Sequence, residues 1–320
     1  PKMRKFYGPI MGPSFRQTVW AMARERNPPT EHTNIVRSIN GSDHPLDLMT
    51  STLESMLRAG TAGSGYSPVR DVSIALAFLE TDGWQQASGN PSLKRHKVLK
   101  NTFSYTIHVS APHLGHKLHP FSLALLLRSE EFKRESADLR KFDEVHKFSD
   151  ECSVFYQREA AGKMFAARES MFASVIFDDN ISGNPRDKLE ESQNLLLLEW
   201  GLETDVEGKP ALDDANRPIK TRPFTLWQVS GRDGELDITL TMIADLGGVL
   251  NNRWLKFAIE KGVEYELAKG MKELETVLLS EEGAEGLTQV EDEVEKEVFD
   301  GISAEMTPGQ RYFFQHTESL

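Results

Sequence analysis

Cysteine is nearly absent: Cys152 stands alone among 320 residues. One thiol excludes an internal disulfide framework and a Cys-rich zinc or iron–sulfur site, and it suits a reducing compartment. Long apolar runs are missing as well; none reaches the roughly 18 residues that a membrane-spanning helix needs. Neither a phosphate-cradling Gly-x-x-x-x-Gly-Lys nor a Gly-x-Ser-x-Gly nucleophile elbow occurs, and Gly63-Ser64-Gly65 lacks the third glycine of a dinucleotide loop. The carboxylate pairs Asp178-Asp179 and Asp213-Asp214 sit beside turn residues and read as solvated turns rather than an acid/base dyad. Positive charge is scarce, with 37 Lys and Arg against 49 Asp and Glu. A net charge of −12 argues against nucleic acid, whose phosphates need a basic surface. No cofactor is implied and no enzymatic activity is expected.

The acidity is unevenly placed. Residues 1–30 hold Lys2, Arg4, Lys5, Arg16, Arg24 and Arg26 against Glu25 alone, whereas the stretch from Glu281 onward carries most of the excess negative charge. Residues 1–60 are read as a basic arm, extended over 1–43 with one short helix near Phe15–Arg26, followed by a helix; 61–280 as one folded domain; and 281–320 as an acidic tail. Segments 1–43 and 281–320 are the expected contacts for protein partners, and the basic arm is suited to peripheral contact with an anionic membrane. An Arg-rich start containing Phe15, Val19, Trp20 and Met22 fits an organelle-directed segment. The expected location is intracellular, in the mitochondrion or the cytoplasm.

Within the middle segment, periodicity predicts helices over Leu46–Leu57 and Val72–Leu79. Strands follow at Leu93–Leu99 and Thr102–Ser110, where Phe103, Tyr105, Ile107 and Val109 alternate with polar residues. Pro112–Arg128 reads as one helix, with Glu130–Leu139 continuing helical. Strands are then expected at Phe142–Phe148, Cys152–Glu159, Arg168–Phe177 and Leu195–Leu202. Thr221–Ser230 and Glu235–Ala244 form a hairpin around Gly231-Arg232-Asp233-Gly234. Last comes a long amphipathic helix over about Leu250–Leu279, with Leu250, Trp254, Ala258, Val263, Leu267, Met271, Leu274 and Leu278 on one face. The class is α+β: a curved antiparallel sheet wrapped around a long C-terminal helix.

Three places carry a resemblance to a known family. Arg158-Glu159-Ala160-Ala161-Gly162, followed by Ala167-Arg168-Glu169-Ser170-Met171-Phe172, is similar to the Ala-Ala-Gly and Arg-Asp-Phe segments of sterol-carrying START lipid-transfer domains. Asp245-Leu246-Gly247-Gly248 before Trp254-Leu255 resembles the turn into their C-terminal helix. Trp84, Lys141-Phe142 and Tyr156-Gln157 match the family's order of elements. The chain departs from the family pattern at Leu246 and Leu250, which replace prolines, and at Glu169, which replaces an aspartate. The resemblance implies a helix-grip fold, a lipid or sterol ligand held by burial alone, and charged groups at Arg168 and Glu159 reaching inward.

The candidate ligand-binding residues are Glu159, Arg168, Glu169, Phe172, Trp227, Met242, Trp254, Phe257 and Ala258. Residue parity along the 168–177 strand leaves two arrangements open: Glu169 inward with Met171 and Val175, or Arg168 inward with Phe172 and Ile176. His108, His113, His116 and His119 cluster in sequence, but their helical spacing spreads them too widely for a metal site. Two other readings compete with a lipid carrier or sensor. One is an accessory subunit of a large, mitochondrial or other, complex that keeps the fold as a scaffold; the other is an enzyme built on the same open grip.

Overall fold

The computed structural model describes residues 29–40, 44–58, 69–87, 89–130, 132–133, 139–149, 152–160, 167–178, 193–203, 218–232, 234–245, 253–281, 283–290 and 292. Three helices come first, α1 (Pro29–Asn40), α2 (Pro45–Arg58) and α3 (Val69–Leu79). Strands β1 (Trp84–Gln86), β2 (Leu93–His96) and β3 (Thr102–Ser110) lead through a 3-10 turn (Pro112–Lys117) into α4 (Pro120–Arg128). Then come β4 (Leu139–Ser149), β5 (Cys152–Glu159), β6 (Arg168–Asp178), β7 (Asn194–Gly201), β8 (Ile219–Lys220), β9 (Phe224–Arg232) and β10 (Glu235–Ile243). Helix α5 (Arg253–Leu278) closes the series.

The strands form one sheet in the order β1-β2-β3-β10-β9-β7-β6-β5-β4, all antiparallel, with β8 added parallel to β6. Its two faces are buried against different helices. On the far face, Tyr156, Met171, Val175, Trp200, Phe224 and Leu226 pack with Ile39, Met49, Leu53 and Phe78 of α1–α3. On the opposite face, here the helix face, Tyr105, Ile107, Val229, Ile238 and Leu195 pack with Leu123 and Leu127 of α4 and with Leu267, Met271, Leu274 and Leu278 of α5. Those four α5 residues recur at the spacing of one helical stripe, which is why the helix lies flat on the sheet. Leu287 and Val290, in the helical turns at 283–290, bury against the same core. The architecture is the α+β helix grip, with a further helical layer behind the sheet.

Several elements differ from the sequence expectations. The single helix expected over Pro112–Arg128 is two elements, because Gly115 adopts φ 51°, ψ −129° inside the 3-10 turn, a conformation that glycine reaches without steric cost. Pro120 then restarts the helix at its first turn, with His119 as a capping box: its ring accepts from the Phe121 N–H and its backbone N–H donates to Ser122 Oγ at 3.1 Å. Of the expected helical stretch Glu130–Leu139, the described residues Glu130, Phe132 and Lys133 are helical, 131 and 134–138 lie outside the described residues, and Leu139 already belongs to β4. Helix α1 lies where an extended arm was read, its Ile39 fully buried; the short helix expected near Phe15–Arg26 lies outside the described residues. The β9–β10 hairpin stands where its glycines predicted, with Arg232 paired to Glu235 and Gly234 at φ 86°.

His96 ties β2 to α3. The Leu99 N–H donates to its Nδ1 at 3.0 Å, which leaves Nε2 to donate to Thr81 Oγ1 at 2.9 Å, while Thr81 Oγ1 donates to the Phe78 carbonyl at 2.8 Å. The Trp84 ring meets the imidazole edge-on with centroids 5.2 Å apart, and a Cβ on Gly83 would fall 2.1 Å from Nε2. Burial pushes the His96 pKa down from 6.5 to about 4. The folded state thus favours the neutral ring, so its contribution is intact above pH 6.5 and declines as pH falls from 6.5 toward 4. At about 1.4 kcal/mol per unit, lowering the pH from 7 to 5 should cost the fold about 2 kcal/mol through this group. Urea denaturation at the two pH values should show that loss in the wild type and a much flatter response in His96→Leu. Equal pH slopes for both proteins would refute the assignment.

Candidate functional site

The register of the sheet decides which side chains share the helix face. One row of paired positions runs Gln85, Arg95, Phe103, Met242, Thr225, Glu199, Ser174, Ser153 from β1 across to β5. The row two residues along runs Leu93, Tyr105, Leu240, Trp227, Leu197, Ile176. The helix face is therefore apolar along one row and mixed along the next.

Among the large apolar side chains on it, Trp227 and Met242 stay partly accessible. Both lie on central strands, whereas Val229, Leu240 and Ile238 further along the same strands are 1%, 8% and 0% exposed, in one core with Leu267, Met271, Leu274 and Leu278 of α5. The described second half of α5 thus seals its part of the face, and the open part lies toward the first half. There a cavity of about 230 Å³ is bounded by Gln85, Arg95, Asn101 and Phe103 from the sheet side and by Glu260 and Glu264 of α5. Phe103, in its wall, is the register partner of Met242.

A buried ion pair stands on the same row. Glu199 accepts two hydrogen bonds from Lys133 Nζ, at 2.8 and 3.0 Å, and one from Thr225 Oγ1 at 3.0 Å. Its side chain is 6% exposed and that of Lys133 18%, and a carboxylate this deep needs that pairing. Next to it Phe142, Phe155 and Phe172 form a run of rings, stacked at 5.1 Å and 5.7 Å. Cations stand over two of the rings, Arg128 over Phe155 at 5.2 Å and Lys133 over Phe172 at 5.8 Å. The hydroxyls of Ser170 and Ser174 are buried on this face and have no hydrogen-bond partner among the described residues.

The residues named from sequence distribute as follows. Phe172, Trp227 and Met242 are on the helix face, and so are Glu159 and Arg168, which pair directly across β5 and β6. Burial raises the Glu159 carboxyl above its usual range, and the Arg168 guanidinium opposite partly offsets this. Glu169 is a correction: unbroken β5–β6 pairing turns odd-numbered β6 residues to the far face, where Glu169 accepts the Tyr156 hydroxyl at 3.1 Å. That phenol is pushed well above its ordinary range by burial first and then by the Glu169 charge. Of the two parity arrangements, Arg168 with Phe172 and Ile176 faces α4 and α5. The side chains of Trp254, Phe257 and Ala258 lie outside the described residues, as does the turn 246–252. The histidines have separate duties: His119 caps α4, and His108 bridges Asp237 and Glu235 at 3.0 and 3.2 Å on the surface.

Glu199 and Lys133 were not among the residues singled out from sequence. The available signal was one charge inside an apolar strand, Asn194-Leu195-Leu196-Leu197-Leu198-Glu199-Trp200.

No family model matches the chain, and no curated protein does. Solved structures of similar layout include human STARD10, at 11% identity and TM-score 0.49 over 79% of this chain and 93% of that one. Another is a STAR-related lipid transfer protein fragment from Xanthomonas axonopodis, at 14% identity and TM-score 0.42, covering 61% and 99%. Human StAR-related lipid transfer protein 5 follows at 10% and 0.43, covering 70% and 98%. At these scores the likeness concerns the layout of elements at most; the grip follows from the chain's own strand order and the packing of α5 on the sheet.

Lys133→Ala should leave Glu199 buried with only Thr225 for company and cost about 3 kcal/mol. The double variant Lys133→Met, Glu199→Leu should recover most of that loss in chemical denaturation. Additive losses in the double variant would contradict a coupled pair.

Proposed function

We propose that this domain binds a lipid or sterol by burial alone, as a carrier or sensor, between the sheet and the first half of α5. The observation that supports it is the partial accessibility of Trp227 and Met242 on central strands, where a packed fold would cover them, beside the cavity that Phe103 shares. At about 230 Å³ that cavity is smaller than the roughly 300–1,000 Å³ of typical small-molecule pockets. A sterol-sized guest must therefore spread from Phe103 past Met242 on one row and onto Trp227 of the next. Burying ~300 Å² of apolar surface would contribute about 7 kcal/mol before ordering costs. The far end of the row supplies orientation, since Ser174 Oγ and the Glu199–Lys133–Thr225 group are the polar atoms a head group would meet.

Burial requires no bond to be made, and we assign no catalytic residue. The single cysteine fits a reducing intracellular compartment, cytoplasm or mitochondrion. A role as a subunit of a larger assembly drew on the two charged extensions. Parts of both serve the domain itself: Ile39 packs on the far face, and Leu287 and Val290 on the helix-face core.

Delipidated protein exposed to a total lipid extract should retain a defined lipid in native mass spectrometry, and its tryptophan emission should shift on binding. Met242→Trp, which fills the open part of the face, should cut retention at least tenfold with the thermal midpoint little changed. Recovery of no lipid under several conditions, or full retention by Met242→Trp, would overturn the proposal.

A further inference from the structure

The segment Leu93–Asn101 is out of character with the rest of the chain. On a protein of net charge −12 it carries Lys94, Arg95, Lys97 and Lys100 and no acid. Strand β2 ends at His96, and the chain then turns back into β3 through Asn101, whose φ of 52° fits a tight left-handed turn. The tip is held rigidly: the Lys97 N–H donates to the Gly83 carbonyl at 2.8 Å and the Leu99 N–H to His96 at 3.0 Å. Leu99 is buried as an anchor, while between it and Lys97 stands Val98, 47% exposed. Val98 is one of three large apolar side chains exposed among the described residues. Arg95, Lys97 and Lys100 are exposed around it and line the mouth of the 230 Å³ cavity.

A cationic turn with one apolar side chain at its apex could serve a small anion inside the cavity or an extended anionic surface outside it. The charges on the opposite wall decide between them. Glu260 and Glu264 face the cavity from α5, so an anion within it would meet two carboxylates. Glu264 is only 9% exposed and is paired with Lys261, itself half exposed, so little negative charge projects outward. Asp82, exposed beside the Gly83 that anchors Lys97, adds one opposing charge to this edge. The outward balance remains positive.

We infer that the β2–β3 turn docks this protein on an anionic lipid bilayer, with Arg95, Lys97 and Lys100 at the head groups, Val98 inserted between them and the cavity mouth turned to the membrane. Each cation near such a surface contributes about a fivefold gain in partition, and the gain is screened by salt. The surface is distinct from the basic arm considered above, and it stands whether or not the cavity carries a lipid.

The test is co-sedimentation of the full chain with vesicles of phosphatidylcholine alone or with 30% phosphatidylserine, as roughly a third of anionic lipid gives a surface of the required potential. Binding should appear only on the anionic vesicles and weaken steeply as salt is raised. Lys97→Glu with Lys100→Glu should lower the partition at least about tenfold, and Val98→Asp should lower it with all cations kept. All three substitutions are at exposed positions, so unchanged thermal midpoints separate lost docking from lost fold. Retention of lipid from an extract, measured on Val98→Asp, whose side chain does not line the cavity, should be unaffected, which separates this inference from the ligand proposal. Equal binding to neutral vesicles, or undiminished binding by the charge-reversed variant, would overturn it. Saturable binding of soluble inorganic phosphate that the same two substitutions abolish would overturn it in favour of an anion site.

Discussion

Antiparallel register across β5, β6 and β7 is the constraint on which the rest of this structure depends. Side chains alternate along a strand, so a shift of one residue would exchange the two faces completely. As paired, Glu159 meets Arg168, Phe155 meets Phe172 and Ser174 meets Glu199 on the side of α4 and α5, while Arg158 meets Glu169 on the other. Each face then receives charges that its surroundings can satisfy. Glu199 has Lys133 and Thr225 on one side, and Glu169 has Tyr156 on the other. A slipped register would bring uncompensated charge against the leucines and methionines of the packed helices, at several kcal/mol per group.

Much of the fold could be read from residue patterns. The alternation of Phe103, Tyr105, Ile107 and Val109 marked β3, and Gly231 to Gly234 marked the last hairpin. The stripe Leu267, Met271, Leu274 and Leu278 marked the closing helix and the face it presents. What escaped were features set by single residues or by distant contacts. Gly115 splits a stretch whose hydrophobic period is otherwise helical. Helix α1 has a short apolar stripe, and its place is decided by the far face of a sheet that begins more than forty residues later.

The site was legible in part for the same reason. Trp227, Met242 and Phe172 could be nominated as apolar residues of strands, because any version of the grip turns such residues inward. Parity could not choose between Arg168 and Glu169, since both faces of β6 carry large apolar residues beside that pair; only pairing with β5 and β7 chooses. Glu199 stood out as an acid among leucines, yet its partner Lys133 is 66 residues away, past the end of α4. Long-range ion pairs leave no local period to detect.

Among the described residues strand β4 ends the sheet opposite to β1, and a sheet edge of that length is where another extended chain would add. Its pairing with β5 shifts register between Leu139 and Lys141, Glu144 and His146, and Lys147 and Ser149, and its outer residues include Arg140, Lys141, Glu144 and Lys147. Irregular spacing and alternating charge make this border a poor template for strand addition. Two copies of the protein are thereby discouraged from stitching their sheets together along β4.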